Sequence, residues 1–367
     1  MKIAQVAPLI ETVPPKTYGG TERVVHYLTE ELVAQGHDVT LFASGDSLTN
    51  AKHVAVVEES LRCGSVPRDP AIWHQRQLME VLRRADEFDI IHFHTDFSHF
   101  SVMRYINTPH VTTLHGRLDL PDFQTVFDEF SDMPVVSISE SQRTPIKNAN
   151  WVGTVYNGTP GENYVFQPSP DPNEYFAFLG RFSPEKGPER AIEIAKRLGV
   201  KLKMAAKIDP VDEAYFAERI RPHLDNPLIE YVGEVNESQK NRLLGGAKAL
   251  LFPIDWPEPF GLVMTESMAC GTPVIAFRNG SVDEVMDNGV SGYIVESIDE
   301  AVEAARNVDK IKRRGCRIYF QNRFSAESMS MGYVGVYEKL IKPRSNAIQV
   351  SCHQPISNRT TPSATAG

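Results

Sequence analysis

Short β-branched runs alternate with helix-like segments along nearly all of this 367-residue chain, and the alternation starts afresh near residue 171. The first series of predicted strands is Ile3–Ala7, Asp38–Ala43, Asp89–His94, His110–Leu114, Pro134–Ser139 and Trp151–Tyr156. The second is Tyr175–Leu179, Lys201–Ala205, Ile229–Val232, Ala249–Pro253 and Pro273–Phe277. Between them the pattern predicts helices at Glu22–Gln35, Pro184–Leu198, Val211–Arg221, Ser238–Gly245 and Leu262–Ala269. Alternation of this kind lays helices over both faces of parallel sheets, the doubly wound α/β class. Several of the strand runs are almost wholly apolar, as parallel strands buried on both faces are.

The restart divides the chain. The segment 157–173 is rich in Pro, Gly and Asn and reads as a linker. Expected domains are therefore 1–170 and 171–323, with a last helix over about 324–342 and a polar, aperiodic tail, 345–367, expected to be disordered. At roughly 150 residues per domain the length fits two. An apolar fraction of 41% and a charged fraction of 23% exclude a disordered chain, a collagen and a disulfide miniprotein.

Charge narrows the function classes. With 38 Lys+Arg against 47 Asp+Glu, the net charge of −9 argues against a general nucleic-acid binder. The acidity is uneven: residues 1–170 hold 13 cations and 21 anions (net −8), and the remainder 25 and 26 (net −1). The opening MKIAQVAPLI lacks the long apolar region of a secretion signal, and no uncharged run is long enough to cross a bilayer. The four cysteines form no CxxC pair and no zinc spacing. The expectation is a cytoplasmic protein without membrane association.

Two doubly wound domains facing one another bind ligands in the crevice at the carboxyl ends of their strands, so the loops after strands are where function is sought. After the first strand comes a loop ending in Gly19-Gly20-Thr21-Glu22, then a helix. Paired glycines let backbone N–H groups approach an anion at a helix start, although a flexible loop capped by Thr21 reads equally well. After the first strand of the second series stands Gly180-Arg181-Phe182-Ser183-Pro184-Glu185-Lys186-Gly187. Arg as a planar fork and Lys as a point charge suit a diphosphate; the alternative is surface cations paired with Glu185 and Glu189. The strongest cluster runs from Trp256 through Glu258-Pro259-Phe260-Gly261-Leu262 to Glu266, then Ala269-Cys270-Gly271-Thr272-Pro273. Glu258 in the loop and Glu266 about one turn into the helix can border one cleft, where carboxylates accept from paired sugar hydroxyls. Their rival roles are a charge stabilising the helix start and a solvated helix face.

A second constellation competes. In Asp89-Ile-Ile-His92-Phe-His94-Thr-Asp96, period two puts His92, His94 and Asp96 on one face, which invites a metal-dependent hydrolase. Phe97 stands where such a motif would need another histidine, and no downstream ligand set follows. His115, ending the next strand, reads equally as structural or functional.

Taken together, these pieces resemble the retaining nucleotide-sugar glycosyltransferases of family four. The carrying features are Gly19-Gly20, His115, Gly180-Arg181 with Lys186-Gly187, and Glu258-Pro-Phe260-Gly261-Leu262 followed by Glu266 and Ala-Cys-Gly-Thr-Pro, in that order over about residues 1–340. The resemblance implies the GT-B architecture, two Rossmann-like domains facing a central cleft, with 1–170 binding the acceptor and 171–323 the donor. It implies that the last helix packs back on the first domain. Arg181 and Lys186 would hold the donor diphosphate, Glu266 the ribose, and Glu258 with the backbone of Phe260, Gly261 and Leu262 the transferred sugar. Gly19 and Gly20 would close over the phosphates, and His115 would border the reacting sugar. The implied activity is metal- and cofactor-independent transfer of a hexose from a nucleotide diphosphate sugar, UDP-glucose or GDP-mannose in type, to a hydroxyl acceptor. Two alternatives remain: the hydrolase using His92, His94 and Asp96, and a nucleotide-sugar binding protein without catalysis. The acidic first domain points to a non-membrane acceptor.

Overall fold

The apolar strand runs require cover on both faces, and in the computed structural model, which describes residues 1–16, 19–62 and 66–342, they assemble into two all-parallel sheets. The first contains β1 (Lys2–Val6), β2 (Asp38–Ala43), β3 (Lys52–Ala55), β4 (Ile90–Phe93), β5 (His110–Thr113), β6 (Pro134–Ser137) and β7 (Asn150–Thr154). Its order is β3-β2-β1-β4-β5-β6-β7, with Ile3 aligned between Val39 and Ile90. The second contains β8 (Tyr175–Arg181), β9 (Lys201–Lys207), β10 (Ile229–Gly233), β11 (Ala249–Phe252), β12 (Val274–Phe277) and β13 (Gly292–Val295), in the order β10-β9-β8-β11-β12-β13. Each order reverses once, between β1 and β4 and between β8 and β11. At such a reversal the neighbouring crossovers leave toward opposite faces, and a crevice opens at the strands' carboxyl ends.

Nine helices of eight residues or more lie among the described residues: α1 (Gly20–Ala34), α2 (Pro70–Arg83), α3 (Pro121–Glu129), α4 (Pro188–Leu198), α5 (Glu237–Gly246), α6 (Leu262–Ala269), α7 (Ile298–Arg306), α8 (Arg313–Arg323) and α9 (Ala326–Ile341). Cap chemistry sets several starts. Asn236 and Gln239 form a reciprocal capping box on α5, and Ser297 and Ser325 accept from the third residue of α7 and α9. The last helix follows the second sheet in the chain yet buries Met329, Tyr333, Val336 and Tyr337 against Ile3, Val111 and Val136 of the first and Val24 of α1. No helix among the described residues is long and apolar enough to cross a membrane.

The structure corrects several expectations. The segment expected as one helix, Pro184–Leu198, is a 3-10 turn, Pro184–Lys186, followed by α4. Gly187 separates them at φ 65°, where a Cβ would stand 2.0 Å from the Pro253 carbonyl oxygen; only glycine fits both constraints. The helix expected at Val211–Arg221 is broken into 3-10, α and π turns. Pro222 in its last turn has no N–H to donate, so the ladder cannot continue through it. Thr21 does not cap α1: the helix begins at Gly20, with Gly19 at the cap position and no side-chain cap. Asp96 does not share a strand face with His92 and His94, because β4 ends at Phe93 and the backbone turns to φ 51° at Asp96. The edge strands Lys52–Ala55 and Gly292–Val295 and helices α2, α3, α7 and α8 go beyond the expected elements. Among the cysteines, Cys270 and Cys316 are buried thiols; Cys63, Cys352 and the tail lie outside the described residues.

Candidate active site

The loops after β1, β8, β9, β10 and β11 converge on one cleft of about 220 Å³ between the two sheets. Among its lining residues are Arg23, Arg181, Lys186, Lys207 and Lys240, facing Glu234, Glu237, Glu258 and Glu266. Five cations meet four carboxylates on its walls, a near balance of charge within a chain of net charge −9.

Arg181, the last residue of β8, is held by two carboxylates. Its Nη2 pairs with Glu185 and its Nε lies 3.1 Å from Asp212 Oδ2. Lys186 ends the 3-10 turn that Gly187 permits, and its Nζ lies 2.5 Å from Glu258 Oε2. The same carboxylate oxygen accepts from Trp256 Nε1 at 3.0 Å, and Lys186 lies over the Trp256 ring at 4.8 Å. Glu258 is thus a buried carboxylate with a cation and an indole N–H aimed at one oxygen. Gly261 starts α6 at φ 78°, where a Cβ would meet Met264 Cε at 2.8 Å; glycine lets the loop turn directly into the helix.

One turn into α6, Glu266 is 5% exposed and receives Lys240 Nζ at 2.5 Å and Tyr164 OH at 3.0 Å. Burial alone would raise its carboxyl, but the charges of Lys240 and Arg23 and the hydrogen bonds from Lys240 and Tyr164 outweigh it, so its pKa falls below the ordinary value. Burial would likewise lower the Lys240 ammonium, and Glu266 and Glu237 reverse that, so it is raised. Both shifts hold the pair ionised. Lys240 also reaches Glu237 at 2.9 Å, and Glu237 pairs across the cleft with Arg23 of α1. The first turn of α1 is thereby tied to the second domain.

The structure brings Gly19, Gly20, Arg181, Lys186, Glu258, Gly261, Leu262 and Glu266 together around this cleft. A Cβ on Gly20 would stand 3.9 Å from Leu262 Cδ1, so the two domains nearly touch there. Phe260 is not among the lining residues: its ring packs on Tyr156 and Phe324, and its carbonyl accepts from Ser281 Oγ at 2.9 Å. His115 is not among them either. It is half-buried beyond the end of β5, its Nε2 2.8 Å from His94 Nδ1, and burial pushes its imidazole down to about 4. Two residues on, Arg117 lies 5.7 Å over the Trp256 ring, which links this loop to the Glu258 loop.

The competing constellation is taken apart. His92 spends both ring nitrogens on Tyr337 and Thr113, each at 2.7 Å, and His94 spends its own on Gln5 and His115. Asp96 is exposed, off the strand. No group of three or more His, Cys, Asp or Glu among the described residues could hold a metal ion.

Arg23, Lys240, Glu237, Tyr164 and Asp212 were not anticipated. Arg23 had a signal, since it follows Gly20 by one helical turn. Lys240 had none: its partner Glu266 is 26 residues away, and no spacing rule joins them.

Two family models match this chain: Glycosyltransferase Family 4 over residues 18–148 and Glycosyl transferases group 1 over 162–325. An uncharacterised glycosyltransferase of Methanocaldococcus jannaschii is 26% identical over 338 residues, covering 80% of this chain and 85% of that protein. A crystal structure of AviGT4, a glycosyltransferase involved in avilamycin A biosynthesis, has a TM-score of 0.72 at 24% identity, covering 93% of this chain and 98% of that one. The Anabaena protein HepE, solved in complex with UDP and glucose, has a TM-score of 0.69 at 17% identity, covering 93% and 100%. At these identities the two structures bear on the fold alone, two Rossmann-like domains in the GT-B arrangement.

Proposed function

Since this chain belongs to the GT-B glycosyltransferases of the family-four type, we propose that it moves a hexose from a nucleotide diphosphate sugar to a hydroxyl acceptor, with retention at the anomeric carbon and without a metal. The observation that carries the proposal is the placement of Arg181 and Lys186 in one cleft with the two buried carboxylates Glu258 and Glu266. Cleaving the anomeric C–O bond develops oxocarbenium character on the sugar and negative charge on the departing diphosphate. Cations already held by Glu185, Asp212 and Glu258 need no reorganisation to meet that charge, the arrangement that lowers such barriers most.

In this reading Glu266 accepts from the ribose hydroxyls, its ionised state secured by Lys240. Glu258, with the backbone of Phe260, Gly261 and Leu262, holds the distal hydroxyls of the sugar. Gly19 and Gly20 close over the phosphates and His115 borders the reacting face. The bound UDP and glucose of the Anabaena relative favour a UDP-glucose type of donor, with GDP-mannose next. The 1–170 segment would bind the acceptor and 171–323 the donor.

A thermal-shift panel of UDP, GDP, UDP-glucose, UDP-N-acetylglucosamine and GDP-mannose, each with and without EDTA, tests the reading. One nucleotide and its sugar should raise the transition as RT ln(1 + [L]/Kd) requires, with slow nucleotide release from that donor, unchanged by EDTA. No shift with any of them would refute the donor assignment. Binding without nucleotide release, even with acceptor sugars added, would favour a non-catalytic binder.

A further inference from the structure

We propose that Gln5, His94, His92 and Tyr337 are positioning residues that hold the His115 proton on Nε2, leaving Nδ1 as a hydrogen-bond acceptor for a hydroxyl of the sugar. The seating of α9 on the first domain would thereby set the chemistry of a residue just beyond β5. This rests on the reading above that His115 borders the transferred sugar.

With the Gln5 amide nitrogen turned to Tyr337, each hydrogen bond of one continuous chain sets the direction of the next. The Gln5 amide donates from Nε2 to Tyr337 OH at 3.0 Å, while its Oε1 lies 2.8 Å from His94 Nε2. An amide oxygen only accepts, so the His94 proton is on Nε2 and its Nδ1 carries a lone pair. The His115 Nε2, 2.8 Å from that Nδ1, is then the donor. A neutral His115 with its proton on Nε2 has its lone pair on Nδ1. The opposite tautomer would present an N–H there and leave a sugar hydroxyl's hydrogen without that acceptor.

The other direction is equally constrained. Tyr337, having accepted from Gln5, gives its own proton to His92 Nδ1 at 2.7 Å. His92 then donates from Nε2 to Thr113 Oγ1, also at 2.7 Å, and Thr113 donates to Tyr333 OH at 3.0 Å. Donation runs from His115 through His94 and Gln5 to Tyr337 of α9, and from Tyr337 through His92 and Thr113 to Tyr333 of the same helix. Gln5, His92, His94, Thr113, Tyr333 and Tyr337 are all buried, so water offers none of them an alternative partner. Reversing one link therefore means reversing its neighbours or leaving a buried group unpaired. The His92 and His94 rings lie 4.0 Å apart, so a charge on one opposes a charge on the other, and burial disfavours charge on either. Gln5, His92, Tyr333 and Tyr337 line no part of the cleft, so donor binding does not account for them.

The test reads the tautomer directly. Long-range proton–nitrogen correlation on protein labelled with 15N-histidine should show wild-type His115 protonated on Nε2. In Gln5→Leu the two tautomers should mix, and kcat for nucleotide release, measured with whichever of UDP-glucose or GDP-mannose the panel selects, should fall about tenfold with the donor KM within about twofold. That is the lower end of the loss when the outer partner of a metal-bound histidine is removed, the nearest measured analogue. Tyr337→Phe keeps the ring packing and should move both readouts the same way by less. Wild-type His115 protonated on Nδ1 overturns the proposal without any variant. So does an unchanged tautomer and kcat in both Gln5→Leu and Tyr337→Phe. His115→Ala at wild-type kcat/KM instead removes His115 from the sugar, and this role with it, even when the tautomer is as expected; the two failures are thus distinct.

Discussion

Arg181 reaches the cleft as a clamped fork, with Asp212 at Nε and Glu185 at Nη2. Planarity matters there, because a guanidinium fixed along one edge presents its remaining face in a set direction, whereas an ammonium does not. Arg181→Ala and Lys186→Ala should each lower kcat by about 10²-fold or more, the size typical of lost charge stabilisation at a developing anion. Arg181→Lys should recover little of it. Near-wild-type turnover in both alanine variants would remove the diphosphate from these side chains. At this scale the loop motifs were informative: Arg181, Lys186, Glu258 and Glu266 were nameable because each stands at a recognisable strand-to-helix junction. Arg23, Lys240 and Tyr164 were not, since what makes them part of the site is contact with residues remote in sequence.

Among elements, the seam between β4, β5 and α9 carries a pH dependence. Burial holds the imidazoles of His92, His94 and His99 well below their ordinary value, and that of His115 at about 4. The unfolded chain, with these groups titrating near 6.5, therefore binds more protons than the folded one just below that pH. The stability they confer is complete above about pH 6.5 and lost as the pH falls toward the folded values, by up to about 1.4 kcal/mol per pH unit for each group. The paired Glu266 stays ionised down to its ordinary value and below, so it takes no part in the upper portion of that window. The Tm should therefore drop between pH 7.5 and 5, and by less in His99→Asn, which removes one such group. A flat Tm over that range would show that these histidines titrate normally. Elements with strong periodicity were legible, and β2 and α6 lie where the pattern put them. The edge strand Lys52–Ala55 was not, because an exposed KHVA has neither alternation nor an apolar run. The break at Gly187 has no local signature for a different reason: what forbids a side chain there is the Pro253 carbonyl, 66 residues away in sequence.

For the whole molecule, one ion pair that spans the cleft is Arg23 with Glu237, and Glu237 also receives Lys240, which holds Glu266. The charge around Glu266 and the approach of the two domains are therefore linked through one network. Arg23→Ala should raise the donor KM several-fold with a smaller effect on kcat, and speed hydrogen exchange in the first turns of α1 and α5. Unchanged exchange and KM would show that the pair does not hold the domains together. The Tm should move little, because Glu237 is partly exposed and keeps Lys240. The acidity of residues 1–170 takes its place here too: a segment of net charge −8 contributes the cation Arg23 to the cleft.

The sequence by itself determined the parallel α/β class, all strands but the edge strands Lys52–Ala55 and Gly292–Val295, and the loops where Arg181, Lys186, Glu258 and Glu266 meet. It could do so because strand period, glycine turns and helix starts are local, and each is written within a few residues. Only the tertiary structure decided which cations neutralise which carboxylates, that His92 and His94 turn inward to Gln5, Thr113 and Tyr337, and that α9 ends the chain against the first sheet. Those outcomes depend on burial and on distances between residues far apart in sequence. Desolvation makes an unpaired buried charge or imidazole costly, and so selects partners that no local pattern announces.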